Sequence, residues 1–264
     1  MTDASPTNVS VEAKPNGVVT ITLERSQKLN ALDGETLREL RAVLARLADD
    51  PSVRVLVLTG SGEKAFSAGA DIAAMAAMPA AEGRAYAQLG HAVMAAVEAF
   101  PVPVLGMLNG VALGGGLELA LACDLLIASS RARLGQPEIN LGLIPGFGGT
   151  QRLVKRVGLA RARELIYLGQ PIQAEDALRI GLVARVAVPE RLFAEAQDLA
   201  EELARKPPLA LRQAKLATAV AADADITTGC RYEIEAFAVT FASEDRVEGL
   251  RAFQDKRTPA WKGR

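Results

Sequence analysis

One stretch constrains this chain more than any other: Asn109-Gly110-Val111-Ala112-Leu113-Gly114-Gly115-Gly116-Leu117-Glu118-Leu119-Ala120-Leu121-Ala122-Cys123-Asp124. Three consecutive glycines precede an apolar run of helical character, with a carboxylate in its first turn. Glycine lets the backbone approach a ligand closely and adopt conformations closed to other residues. The first amides of a helix have no partner inside it and point outward. Together with the helix dipole, such amides hold developing negative charge. The stretch therefore predicts a tight turn from strand into helix, with Glu118 as an acid beside an anion-stabilising backbone. Taken alone, the same pattern equally suits a turn that packs a helix onto a sheet.

Composition narrows the class. The chain has 264 residues, half of them hydrophobic, enough to bury a full core. Thirty basic residues against 31 acidic ones leave a net charge of -1, with no overall pull toward nucleic acid or membrane. The start, Met1 to Ser10, is polar and has neither an apolar signal core nor an arginine-rich face. No apolar run of about 18 residues reads as a membrane span. Two cysteines, Cys123 and Cys230, fit a reduced cytoplasmic protein with free thiols. A single histidine, His91, argues against a multi-histidine metal site and leaves the glutamates as acid/base candidates.

Along the chain, Val18–Leu23 reads as a strand. Asp33 is placed to cap a helix whose apolar face is Leu37, Leu40, Leu44 and Leu47. Val53–Leu58 is a second, buried strand. A glycine-bearing loop, Thr59–Gly69, leads to a helix start near Asp71. Glu82–Phe100 is helical and ends at Pro101 and Pro103. Val104–Leu108 is a third strand; Leu125–Ala128 and Ala132–Leu134 are short ones. Beyond Gly149 the chain turns helical: Arg161–Leu168 with Gly169 as C-cap, Ala174–Ile180, Pro189–Arg205, Leu209–Ala222, Ile226–Phe241, and Glu244–Phe253 with Ser243 as N-cap. Strand, glycine loop and helix recur at a separation of roughly 50 residues, which suggests stacked β/α units. By itself the alternation also suits a doubly wound sheet.

Two further stretches join the glycine cluster. The first is Lys64-Ala65-Phe66-Ser67-Ala68-Gly69-Ala70-Asp71-Ile72. The second is Gln136-Pro137-Glu138-Ile139-Asn140-Leu141-Gly142-Leu143-Ile144-Pro145-Gly146-Phe147-Gly148-Gly149-Thr150. In order and spacing, the three resemble the signatures of the crotonase (enoyl-CoA hydratase/isomerase) family over nearly the whole chain. The resemblance implies an α/β fold: a spiral of ββα units with a C-terminal helical region. It implies a core at residues 1–200 carrying the site for a coenzyme A thioester. Residues 201–264 become a helical oligomerisation and lid region, in a homotrimer or a hexamer of paired trimers.

The resemblance also assigns roles by position. The backbone amides of Ala70 and Gly115 match the oxyanion hole. Glu118 and Glu138, twenty positions apart, match the two acid/base glutamates of the hydratases. Gly146 matches a glycine near the reacting end of the acyl chain. Ala68, Asp71 and Ile72 fall in the segment lining the nucleotide end of coenzyme A, with Lys28 as a phosphate contact. Phe253 and Lys256 resemble a tail motif at the adenosine end. No metal and no cofactor is implied, since coenzyme A arrives within the substrate. The chain departs from familiar members at Ala73 and Ala74, where many carry charge, and at Leu117, where some carry cysteine.

Hydration of a trans-2-enoyl-CoA is the activity this pattern favours, with an acyl pocket expected to draw on the segments Met75–Ala81 and Tyr86–His91. Isomerisation is the rival within the family, and isomerases often keep only the later glutamate. From another class comes RNA binding or a scaffold role, for which Arg152, Lys155, Arg156, Arg161 and Arg163 form the densest basic cluster. A solvated helix face explains that cluster better, so nucleic acid is not the expected partner.

Overall fold

A computed structural model describes residues 8–264. Two sheets run side by side through the molecule. The larger has the order β1 (Val9–Ala13), β2 (Val18–Leu23), β3 (Val55–Gly60), β5 (Val104–Leu108), β7 (Leu125–Ser129), β10 (Arg185–Ala187). The smaller has the order β4 (Ala65–Ser67), β6 (Val111–Leu113), β8 (Arg133–Gly135), β9 (Ile172–Gln173). From β2 to β10 the large sheet is parallel, and only β1 pairs antiparallel, as a hairpin with β2.

The chain climbs as a spiral. Each coil lays one strand in the large sheet, one in the small sheet, and then a helix. The coil of β3 and β4 ends in the one-turn α2 (Ile72–Met75) and in α3 (Ala80–Glu98). Those of β5 and β6 end in α4 (Gly115–Leu121), and those of β7 and β8 in a 3-10 segment, Pro137–Leu141. The expected ββα spiral is therefore present, and the doubly wound alternative is excluded.

Side-chain pattern explains each layer. Strand β3, Val-Leu-Val-Leu-Thr-Gly, is buried along its whole length, as a strand covered on both faces must be. Helix α1 (Gly34–Ala48) buries Leu37, Leu40, Leu44 and Leu47, and Asp33 caps it by accepting from Thr36 N. Such a cap is worth about 1 kcal/mol. Helices α5 (Gly149–Val157), α6 (Leu159–Leu168) and α7 (Ala174–Arg179) follow, with Gly169 left-handed at the end of α6. Helix α8 (Pro189–Ala204) spans residue 200 and packs Leu192, Ala196 and Ala200 on the large sheet. The tail continues as α9 (Pro208–Ala221), α10 (Ile226–Phe241) and α11 (Glu244–Gln254). Among the described residues no helix is long and apolar enough to cross a membrane.

The small sheet positions the site. Strands β4, β6 and β8 run parallel and in adjacent order, with Ser67 beside Ala112 and Leu113 beside Gly135. Their C-terminal ends therefore lie together. From those ends emerge Ala68–Asp71, Gly114–Glu118 and Gln136–Glu138.

Candidate active site

The three chain segments enclose a cavity of about 270 Å³. Ala70, Gly115, Glu118, Glu138, Gly146 and Phe147 are among its lining residues. Gly114 turns the chain from β6 into α4 at φ 51°. A Cβ there would stand 2.9 Å from Glu138 Oε1, so glycine serves both the left-handed turn and the close approach of the carboxylate. The amides of Ala70 and Gly115 converge: a Cβ on Gly115 would lie 3.4 Å from Ala70 N. Among the described residues neither amide donates to a protein acceptor.

Glu118 is 1% exposed. Its Oε1 accepts from Gly149 N at 2.6 Å and Phe147 N at 2.8 Å. Burial of an unpaired carboxylate costs several kcal/mol, and hydrogen bonds to a charged group return about 1.5–3 kcal/mol each. Burial is the larger influence and raises the Glu118 pKa, against those two N–H groups and the charge of Arg152. Glu138 stands on the 3-10 segment facing the same space. Burial, reinforced by the charge of Glu118, pushes it up to about 7. The fully buried Gln136 lies against this carboxyl, and with its amide nitrogen turned toward it would donate to Glu138 Oε1 at 2.9 Å and Oε2 at 3.1 Å. The inner wall is Tyr86 set edge-on against Phe147, ring centroids 5.2 Å apart. The Tyr86 hydroxyl donates to the Leu32 carbonyl, which ties this wall to the loop before α1.

Comparison with known proteins agrees with this arrangement. The sequence profile of the enoyl-CoA hydratase/isomerase family matches residues 13–264. The chain belongs to this family. It is 44% identical over 250 residues to the short-chain-enoyl-CoA hydratase of Clostridium acetobutylicum, covering 95% of each protein. It is 43% identical to the crotonyl-CoA hydratase of Syntrophomonas wolfei, covering 95% of this chain and 96% of that one. Among solved structures, the enoyl-CoA hydratase of Bacillus anthracis superposes with a TM-score of 0.95 at 43% identity, covering 97% of this chain and all of that one. The crotonase fold read from the motifs is thereby established.

The remaining residues singled out by the family motifs divide. Ala68 and Ile72 line the cavity, Ile72 from its exposed rim. Asp71 lies beside it, capping α2 through Ala74 N and paired with Arg25 at 3.3 Å and Lys28 at 3.4 Å. Burial works against its ionisation, but the Ala74 N–H and Lys28 outweigh it and hold the carboxyl below its ordinary value. Lys28 is exposed and near the mouth through that ion pair. Phe253, 85% exposed at the end of α11, and Lys256, left-handed at φ 54°, do not line the cavity of their own chain.

Residues outside the motif reading also build the site. Gln136 enters the third motif only as a neighbour of Glu138, although an amide next to a candidate acid is a visible signal. Met75, Gly83, Tyr86 and Ala87 line one side of the cavity, and Leu141, Leu143 and Ile144 another. The basic cluster is largely occupied within the fold. Arg152 pairs with Glu98, Lys155 with Asp223 and Arg161 with Glu164, while Arg156 donates to the Cys123 carbonyl. Among the described residues no group of three or more His, Cys, Asp or Glu side chains could hold a metal ion.

Proposed function

We propose that this chain is an enoyl-CoA hydratase, adding water across a trans-2-enoyl-CoA to give a 3-hydroxyacyl-CoA. One observation carries the reading: two carboxyl groups with raised pKa values, the buried Glu118 and the half-buried Glu138, face one cavity at which the amides of Ala70 and Gly115 lie together. The thioester oxygen sits between those amides, which stabilise the enolate; a donor of this kind is worth about 3 kcal/mol. Glu118 orients a water and takes its proton as the water oxygen bonds to C3. Glu138, with a pKa of about 7, carries a proton in about half the molecules at neutral pH and delivers it to C2. Proton exchange with solvent then resets the pair. Gly146 lines the cavity where the acyl end would lie, and a Cβ there would project into open space.

No metal or redox group takes part in this reading. Ala68, Asp71, Ile72 and Lys28 serve the nucleotide end of coenzyme A. Phe253 and Lys256 reach the adenosine end of a site on another copy of the chain. Residues 201–264 form the oligomerisation and lid region of a trimer or hexamer. A cytoplasmic location accords with two free cysteines, one of them buried at Cys123.

The test is hydration of crotonyl-CoA by the wild type, Glu118→Gln and Glu138→Gln. Each variant is expected to fold and to lose about 100-fold or more in kcat. A wild type inactive on short, long and aromatic enoyl-CoAs would overturn the reading. Isomerase activity surviving in Glu118→Gln but not in Glu138→Gln would favour double-bond isomerisation instead.

A further inference from the structure

Arg152 sits in the first turn of α5, where the helix dipole opposes a cation. Its side chain is nevertheless only 15% exposed. The guanidinium reaches back over its own helix, and Nη1 donates to the Phe147 carbonyl at 3.1 Å. Its other edge grips Glu98 at the end of α3, with Nη2 to Oε2 at 2.7 Å and Nε to both oxygens at 3.3 Å. Phe147 thus turns its carbonyl to Arg152 and its N–H to Glu118. Gly149, two residues on, also turns its N–H to Glu118. Between them Gly148 has φ 106°, and a Cβ there would lie 2.2 Å from Arg152 Nη1. The loop is built without a side chain where the guanidinium passes.

We propose that Arg152, anchored by Glu98, is a positioning residue for Glu118: it fixes the Phe147–Gly149 backbone whose two N–H groups aim the Glu118 carboxylate into the cavity. The proposal rests on the hydratase reading for the task of Glu118. Removal of Arg152 withdraws a nearby positive charge as well as a clamp. The charged and titratable groups around the unit are few. Glu118 faces Arg152 from α5 and Glu138 from the 3-10 segment. Arg152 faces Glu98, and His91, also on α3, borders Gly148.

The test compares wild type with Arg152→Gln, Arg152→Lys and Glu98→Gln. It reads kcat, KM and pH profile on crotonyl-CoA, and hydrogen exchange at the Phe147 and Gly149 amides. Arg152→Gln is expected to lower kcat by about tenfold to a hundredfold, with KM within about twofold. The acid limb of its profile moves to higher pH, because the carboxylate loses a stabilising charge. Arg152→Lys keeps the charge, so its acid limb stays near the wild-type position. It still loses most of the rate, because an ammonium lacks the planar fork that spans Phe147 and Glu98. Exchange at both amides accelerates in each Arg152 variant. A folded Arg152→Gln with wild-type kcat and wild-type exchange overturns the proposal. So does a rise in KM at unchanged kcat. If Arg152→Gln does not fold, Glu98→Gln decides: slower turnover with faster exchange supports the clamp, and no change in either rejects it. A wild type that hydrates no enoyl-CoA removes the hydratase reading, while the exchange measurement still judges the clamp.

Discussion

At Glu138, function and stability pull in opposite directions. Burial raises this carboxyl from 4.5 to about 7. Between those two values the folded chain binds the proton more tightly than the unfolded one. Stability is therefore lost as pH rises from about 4.5 through about 7, and stays lost above that window. Glu138→Gln removes this ionisation. Urea unfolding is expected to show the variant more stable than wild type at pH 8, by on the order of 1–2 kcal/mol for a partly screened group. The two curves should meet at pH 4; equal stability at both pH values would mean the carboxyl is not strained by burial. The buried Cys123, whose thiol burial pushes up to about 12, has no such tension because it stays neutral across the working range.

Among the elements, periodicity was a sound guide wherever one face of a segment decides its burial. Strands β2 and β5 and helix α10 have the bounds their patterns imply, and the leucine stripe of α1 is buried as spaced. The small sheet was much harder to read. Strands β4, β6 and β9 have two or three residues each, too few for an alternation to register, and they exist because neighbouring coils stack. Strand β1 straddles the end of the polar start, Met1 to Ser10, and only Val9 in it is buried. The helix begun at Asp71 runs only to Met75, since Pro79 restarts the chain as α3. That Glu118, Glu138, Ala70 and Gly115 meet at one cavity was legible because motifs fixed them by position. Gln136 was not, since its role depends on which coil lies opposite, and the α3 wall was legible as segments, through Tyr86 and Ala87 with Met75 before them, but not in its shape. That wall carries its own prediction. Gly83 lines the cavity, and a Cβ there would meet nothing within 4 Å. Gly83→Leu should fill this space and improve helix propensity. We expect kcat/KM to fall about tenfold or more for a medium-chain enoyl-CoA, and by less than about threefold for crotonyl-CoA. An unchanged ratio between the two substrates would place the acyl chain elsewhere.

Over the whole molecule, the C-terminal helices leave an apolar surface that a lone chain does not cover. Ile234 and Phe237 on α10 are each 64% exposed, Phe241 52%, and Leu250 on α11 56%. Patches of this kind mark association surfaces. Sedimentation is expected to give a mass several times the 27.8 kDa of one chain, and Phe237→Glu to lower it. A wild type that sediments as a single chain would reject the oligomer. The spiral has a different consequence for the lineage of such a protein. In the proposed mechanism the anion is held at Ala70 and Gly115 by main-chain N–H groups that follow the adjacent strands β4 and β6. No ordinary substitution deletes a main-chain N–H; proline alone does so. Acids at positions 118 and 138 can be exchanged by single codon changes, whereas an enolate cradle made of these main-chain groups would be inherited with the coil itself. Such a scaffold can drift between reactions that share an enolate without ever passing through an ancestor that has lost the means to stabilise one.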